Sequence, residues 1–487
     1  MRVVVVGAGF GGIAAAIELG RYGFDDLEIL EAAPEPGGTW YFNRYPGAAC
    51  DVPSHLYSYS YAQRSEWSRV CSPGDEILEY MRAVVAEFGV ERLITPGTRV
   101  TACRWEERSR TWKVSVEDTD GCSGATRTAD AVVMATGQLH QPALPRIPDL
   151  DCFSGHSFHS ARWDHGYDLR GKRVAVIGTG ASATQFVPEI AEQVAGLTVF
   201  QRTPNWYLPR INRSYPRPVR ELFRRVPVTR SLWRSLIACY AGSLTVAIRH
   251  PRTAGRLGGA LSAAFMRRQL RDPEVRRSAL PDYQFGCKRV LFSSTFLPAL
   301  QRENVELVTE SIVRMRPEGP QTADGRVYPV DCVIYGTGFR TNDFVLPTEV
   351  TGTSGRTLSE AWSGGPHAHL GITVPGFPNL FLMYGPNTNT SGGSIIFYLE
   401  AQAGYLRQAL QWVQHNGAAA IEVRPEVEAA GDRALQARFA GTAWTRCDSW
   451  YRDGTGRIVA NWPGYMREYR KRTQVLDPEE YRLISSD

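Results

Sequence analysis

The stretch "VVVVGAGFGGIAAAIEL", Val3–Leu19, decides the fold. Four β-branched residues read as a strand, the glycines as a turn and the alanine-rich run as a helix. Gly7, Gly9 and Gly12 stand at G-x-G-x-x-G spacing. Gly7 permits the tight turn, Gly9 lets a pyrophosphate approach the backbone, and Gly12 lets the helix pack closely on the strand. The helix N-terminus then offers free N–H groups to the phosphates. "LEILE" follows as a second strand and ends in Glu31, nineteen residues after Gly12. A carboxylate there reads the ribose hydroxyls of an adenosine. The competing reading is a purely structural glycine turn.

The design returns in "GKRVAVIGTGASATQFVPEIA", with Gly178, Gly180 and Ala183 at the same spacing. Alanine is allowed at the third position. The following strand, "LTVFQRTP", ends in Gln201–Arg202 rather than in an acid. An arginine at that point pairs bidentately with a 2′-phosphate and favours NADP over NAD; the alternative is an ordinary surface arginine. Each unit is completed by a strand running into small residues, "AVVMATG" at 131–137 and "VDCVIYGTGF" at 330–339. The expected fold is therefore α/β, with two Rossmann-like dinucleotide-binding domains. Two dinucleotides on one chain imply electron transfer between them, with NADPH as hydride donor and FAD as acceptor.

A chain of 487 residues, 43% hydrophobic and 22% charged, has the make-up of a globular protein of two to about four domains. The motifs divide it into residues 1–145, the first part of the FAD-binding domain; 146–209 and 278–335, the NADP-binding domain; 210–277, a helical basic insertion; and 336–487, the second part of the FAD-binding domain with a C-terminal segment. The net charge of +5 gives no reason to expect a nucleic-acid partner. Nine cysteines lie scattered with no C-x-x-C pair, so reduced thiols are expected, without a disulfide framework or a zinc site, in a cytoplasmic enzyme. The sequence opens on a strand-like run without a charged and apolar leader pattern, so no signal peptide is expected. No run reaches the roughly eighteen apolar residues of a membrane span.

Two further stretches carry a family resemblance. "FSGHSFHSARWDH" contains Phe153-x-Gly155-x-x-x-His159-x-x-x-Trp163–Asp164, and "GGTWYFNRYPGAACD" contains Gly37, Gly38, Trp40, Tyr45, Pro46, Gly47 and Asp51. Together with both glycine motifs, these make the chain resemble the type I Baeyer–Villiger monooxygenases, a group of class B flavoprotein monooxygenases. The resemblance implies an oxidoreductase that uses FAD, NADPH and O2 to convert a hydrophobic ketone to an ester or lactone through a flavin peroxide. It implies that Arg289 is the cation beside the reacting oxygen, that Asp51 is its acidic partner, and that His159 organises the catalytic site. It places Arg202, Thr203 and Lys288 at the 2′-phosphate, Trp450 near the nicotinamide ribose, and Thr39, Trp40 and Tyr57 at the flavin. The glycine-rich turn and helix after "YGPNTNTSGGS" would lie near the flavin's pyrimidine edge. Val290 replaces the proline the family usually carries after its lysine–arginine pair.

On the residues alone, Asp51 and Arg289 also suit an ordinary ion pair, and His159 a structural histidine. A metal role for His156, His159 and His165 is not expected, because no carboxylate or cysteine is spaced to complete a site. The insertion 210–277 holds sixteen arginines and three acids, a net charge of +13. It reads as a helical lid lining the substrate pocket. The alternative is a basic amphipathic patch in peripheral contact with an anionic membrane. Its apolar run is expected to be too short, and broken by Arg234, to span. The competing activities are N- or S-oxygenation by the same cofactors, and a non-catalytic flavoprotein.

Overall fold

The computed structural model describes residues 1–119, 121, 124–390 and 392–486. Two five-stranded parallel sheets organise it. In the first, Leu380–Leu382, Ala131–Met134, Val3–Val6, Leu27–Leu30 and Ile94–Thr95 lie side by side in that order. In the second the order is Val305–Val308, Gly196–Phe200, Arg173–Ile177, Cys332–Tyr335 and His156–His159. The two glycine-motif strands therefore sit at the centre of their sheets. Their unbroken apolar character follows from burial on both faces: Val3, Val4 and Val5, like Val174, Ala175 and Val176, are fully inaccessible.

The glycine turns close against the small-residue strand ends. A Cβ on Gly7, whose φ is +104°, would stand 2.8 Å from the Ala135 carbonyl oxygen. A Cβ on Gly178, at φ +107°, would stand 2.5 Å from that of Gly336. The small residues of "AVVMATG" and "YGTGF" thus serve close packing of turn on strand end. A third, mostly antiparallel sheet of Thr98–Glu106, Thr111–Asp118 and Gly124–Ala129 takes Glu349–Thr351 as a parallel edge. Helix Ile395–His415 packs along Phe10–Arg21, with Arg407 donating to Glu18 at 2.9 Å.

The insertion is helical, over Arg217–Arg225, Pro227–Arg249, Ala254–Gln269 and Pro273–Ala279. The expectation of a short, interrupted apolar run is corrected here. Among the described residues, Pro227–Arg249 is the one helix long and apolar enough to cross a membrane by length and composition. Arg234 does not break it, because its guanidinium turns toward the protein body and donates to the backbone carbonyls of His55 and Ser58.

The cysteine reading is corrected as well. Cys287 and Cys447 form a disulfide across a sequence separation of 160. Cys50, Cys71, Cys103, Cys152, Cys239 and Cys332 are free thiols, and Cys122 lies outside the described residues. No local spacing announces the bond, since only the folded chain brings residue 447 to the segment before Arg289.

Candidate active site

One continuous cavity of about 2640 Å³ opens at the carboxyl ends of both parallel sheets, where open α/β sheets hold ligands. A pocket for one small ligand takes roughly 300–1,000 Å³, so this space has room for two dinucleotides and a substrate. Its wall includes Gly7, Gly9, Glu31, Thr39, Trp40, Asp51, Tyr57, Gly178, Gly180, Arg202, Thr203, Lys288, Arg289 and Trp450. The structure thus gathers most of the sequence-derived site residues around one space, from positions spread over the whole chain.

Three of those residues stand behind the wall. Gly12 acts through packing: a Cβ there would fall 1.9 Å from the Gly7 carbonyl oxygen. Ala183 packs under Gly336, and its Cβ would be 3.2 Å from one built on that glycine. His159 is buried at the end of the edge strand, its Nδ1 accepting the Ala161 N–H at 3.1 Å and its ring against Phe339. Phe339 lines the cavity and His159 does not.

The rest of the "FSGHSFHSARWDH" stretch forms a joint. Trp163 packs against Phe186 of the second glycine-motif helix at 5.2 Å, and Phe186 meets Tyr45 at 5.9 Å. Tyr45 donates to Gln185, whose amide in turn donates to the Ala49 carbonyl. This chain of contacts docks the loop carrying Asp51 onto the second sheet's helix. His156 bonds to Asp164 at 2.9 Å. Among the described residues, no cluster of three or more His, Cys, Asp or Glu is arranged to hold a metal ion.

Burial pushes the His159 imidazole down to about 4, assisted by the Arg162 charge and opposed by a bond with the Gly338 backbone. Between its ordinary 6.5 and about 4, the unfolded chain binds a proton at this residue that the folded chain does not. Stability is therefore full above that window and falls as pH drops through it. His159→Gln is expected to flatten this part of the Tm–pH curve. His55, also held near 4 by burial and by Arg230 and Arg234, keeps its own share of the slope. An unaltered curve in the variant contradicts the assignment.

At the cavity's centre, the Arg289 guanidinium donates to Asp51 at 2.6 Å. The arginine keeps 44% of its side chain accessible from the cavity, against 20% for the aspartate. Asp51's charge raises the Arg289 pKa further above its already high value. Burial alone would raise the Asp51 carboxyl, but Arg289's charge and hydrogen bond, with Arg210 behind, outweigh it and lower the pKa. Both groups are thus held ionised.

Arg210 gave no signal in the sequence. Its Nη2 donates to the Cys50 carbonyl at 2.9 Å, which sets a second cation beside Asp51. Tyr384 and Tyr451 also face the pair. Burial lifts the Tyr451 hydroxyl to about 12, and the Arg289 charge draws it back only partly. Tyr384 donates to Asn389 at 2.8 Å. The disulfide lies alongside: Cys287 precedes Lys288 and Arg289, and Cys447 precedes the Trp450–Tyr451 wall.

Each dinucleotide position can be tested against the residues present. At the first glycine turn, a Cβ on Gly38 would be 2.9 Å from the Gly9 Cα, so the aromatic loop closes directly over the phosphate-binding turn. Glu31 accepts the Ala8 and Ala33 N–H groups at 2.6 and 2.7 Å, which fixes the carboxylate at the cavity wall. Burial raises its pKa, and these backbone bonds restrain the rise. At the second turn, Arg202 and Lys288 converge. Burial and then the Arg202 charge lower the Lys288 pKa. Among the described residues neither cation forms an ion pair, so the two leave an anion position open. Both turns fit a dinucleotide. The helix beginning at Ile395, capped by Ser394 Oγ at 3.3 Å, also meets the cavity.

Residues 5–72 match the family described as NAD(P)-binding Rossmann-like domain, and residues 56–237 the flavin-binding monooxygenase-like family. A Baeyer–Villiger monooxygenase of Streptomyces coelicolor is 41% identical, over 99% of this chain and 93% of the relative. The crystal structure of cyclohexanone monooxygenase from Rhodococcus sp. Phi1 bound to NADP+ superposes with a TM-score of 0.89 at 28% identity, over 99% of both chains. The OTEMO complex with FAD and NADP gives 0.87 at 28% identity, again over 99% of both chains.

Proposed function

The chain belongs to the Baeyer–Villiger monooxygenases, FAD-dependent enzymes that use NADPH, and from that premise we propose that it converts a hydrophobic ketone to an ester or lactone with one atom of O2. The first glycine turn, Glu31, Thr39, Trp40 and Tyr57 would hold FAD, and the second turn, Arg202, Thr203, Lys288 and Trp450 would hold NADPH. On this reading residues 1–145 and 336–487 form the FAD-binding part, residues 146–209 and 278–335 the NADP-binding part, and 210–277 the lid. FAD held at the first turn, with NADPH as its reductant, would supply the redox chemistry that activates O2.

The protein's own contribution centres on Arg289. A guanidinium keeps its proton in a buried site where a lysine would lose it. It can therefore face negative charge on the oxygen donor, and then on the substrate's former carbonyl oxygen, without reorganising. Asp51 orients that cation, and Arg210 keeps Asp51 ionised. Tyr384 and Tyr451 hold their protons at neutral pH and act there as donors, not bases. The insertion's Trp233, Ile237 and Leu244 add apolar wall, which supports its reading as a lid that sheds water from the site.

The observation that carries the proposal is the Arg289–Asp51 pair exposed in a cavity that both glycine turns enter. The holoenzyme is expected to consume NADPH and O2 faster when a lipophilic ketone is added, with an ester or lactone as product. A product panel containing only amine or sulfide oxides would instead make it a heteroatom oxygenase.

A further inference from the structure

Two insertion helices leave an apolar face open to solvent. Val228, Leu232, Leu236 and Tyr240, at four-residue spacing on Pro227–Arg249, are each at least 60% exposed. Leu257 and Leu261, at the same spacing on the neighbouring Ala254–Gln269, are likewise 63% and 60% exposed. Residues four apart share a helix face, and the two helices pack together as a hairpin through the short segment 250–253. Leu236, Tyr240, Leu257 and Leu261 also line the great cavity. The apolar face is therefore the rim of an entrance.

Exposed arginines bracket that rim, with Arg224 and Arg225 ahead of the first helix, Arg252 and Arg256 at the turn into the second, and Arg267 and Arg268 at its end. We propose that this face seats the enzyme on an anionic phospholipid surface, so that a lipophilic ketone enters the cavity from the bilayer between the two helices. A wide apolar face with a cationic border is the pattern of a helix lying in a membrane interface. The charge also argues against a second copy of the chain as the occupant. Pairing two such faces about a twofold axis sets arginine against arginine, in an insertion of sixteen arginines and three acids.

Spanning is ruled out by the opposite face of the same helix. Arg234 donates to the His55 and Ser58 carbonyls at 2.6 and 3.0 Å, and Trp233 to the Tyr215 hydroxyl at 2.9 Å. A Cβ on Gly392 would stand 2.3 Å from the Ala241 carbonyl oxygen, so the helix lies hard against the loop before Ile395. One side is committed to the fold, and only the other is free for lipid.

Surface binding stands on this geometry alone, while entry of the ketone rests on the reading of the cavity as its pocket. The test is flotation of the FAD-loaded enzyme with phosphatidylcholine vesicles made with and without phosphatidylglycerol. The enzyme is expected to float with the anionic vesicles, less so as salt rises. Val228→Glu and Leu232→Glu, at exposed sites outside the cavity wall, should each cut the partition about tenfold or more. Both should leave turnover of a water-soluble ketone unchanged while raising the KM for a ketone supplied in vesicles. Failure of the wild type to float, or flotation of both variants equal to that of the wild type, overturns the proposal. So does a dimer in sedimentation equilibrium that Leu232→Glu dissociates. Flotation needs no turnover, so an inactive enzyme that floats tells against the activity and not against the surface.

Discussion

Replacing Arg289 with alanine is expected to lower ester formation by about 10²–10³-fold, the usual cost of losing one preorganised donor to developing negative charge. FAD should remain bound and NADPH should still be oxidised, because Arg289 meets Asp51 across the cavity and supports neither glycine turn. The electrons that no longer reach the ketone should appear as hydrogen peroxide. Measuring ester, NADPH and peroxide in one reaction separates this outcome from misfolding, which would reduce all three. Ester yield per NADPH equal to that of the native enzyme removes Arg289 from the role given to it. Asp51→Asn is expected to fall between the two, since the arginine keeps its charge and loses the partner that aims it.

Arg202→Ala is expected to raise the KM for NADPH by about tenfold to a hundredfold, the worth of a charge-assisted hydrogen bond. The KM for NADH should stay where it was, because the 2′-phosphate is the only group that tells the two apart. Lys288→Ala should act in the same direction, and the double variant should treat NADPH and NADH nearly alike. An equal loss with both cofactors would mean that Arg202 supports the fold or the common part of the dinucleotide.

What was legible in the sequence was what short-range geometry demands. Gly7 and Gly178 sit at φ values that favour glycine, with a carbonyl oxygen within 3 Å of where a Cβ would stand. That requirement marks a sequence wherever it occurs, so both turns and the strands and helices around them could be read directly. Asp51 and Arg289 are different. They are separated by 238 residues and meet through the Tyr45–Phe186–Trp163 contacts. Only the family resemblance put them together. Arg210 and the Cys287–Cys447 bond belong to the same long-range class, with no motif to announce them. His159 is marked by the motif, while its burial at the end of an edge strand is visible only in the fold. The insertion was legible as helical and basic. The exposure of Leu232 and Leu236 depends on which side Arg234 turns inward, and that requires the His55 and Ser58 carbonyls in place.

The central claim is oxygen transfer to a ketone at the Arg289–Asp51 pair, and isotope labelling tests it most directly. The holoenzyme is supplied with NADPH, a lipophilic ketone and ¹⁸O2, and the product is examined by mass spectrometry. The predicted result is an ester or lactone carrying a single ¹⁸O at the bridging oxygen, with labelled ester lost in Arg289→Ala. An ester without label, or ¹⁸O found only in water, hydrogen peroxide or a heteroatom oxide, would contradict the account.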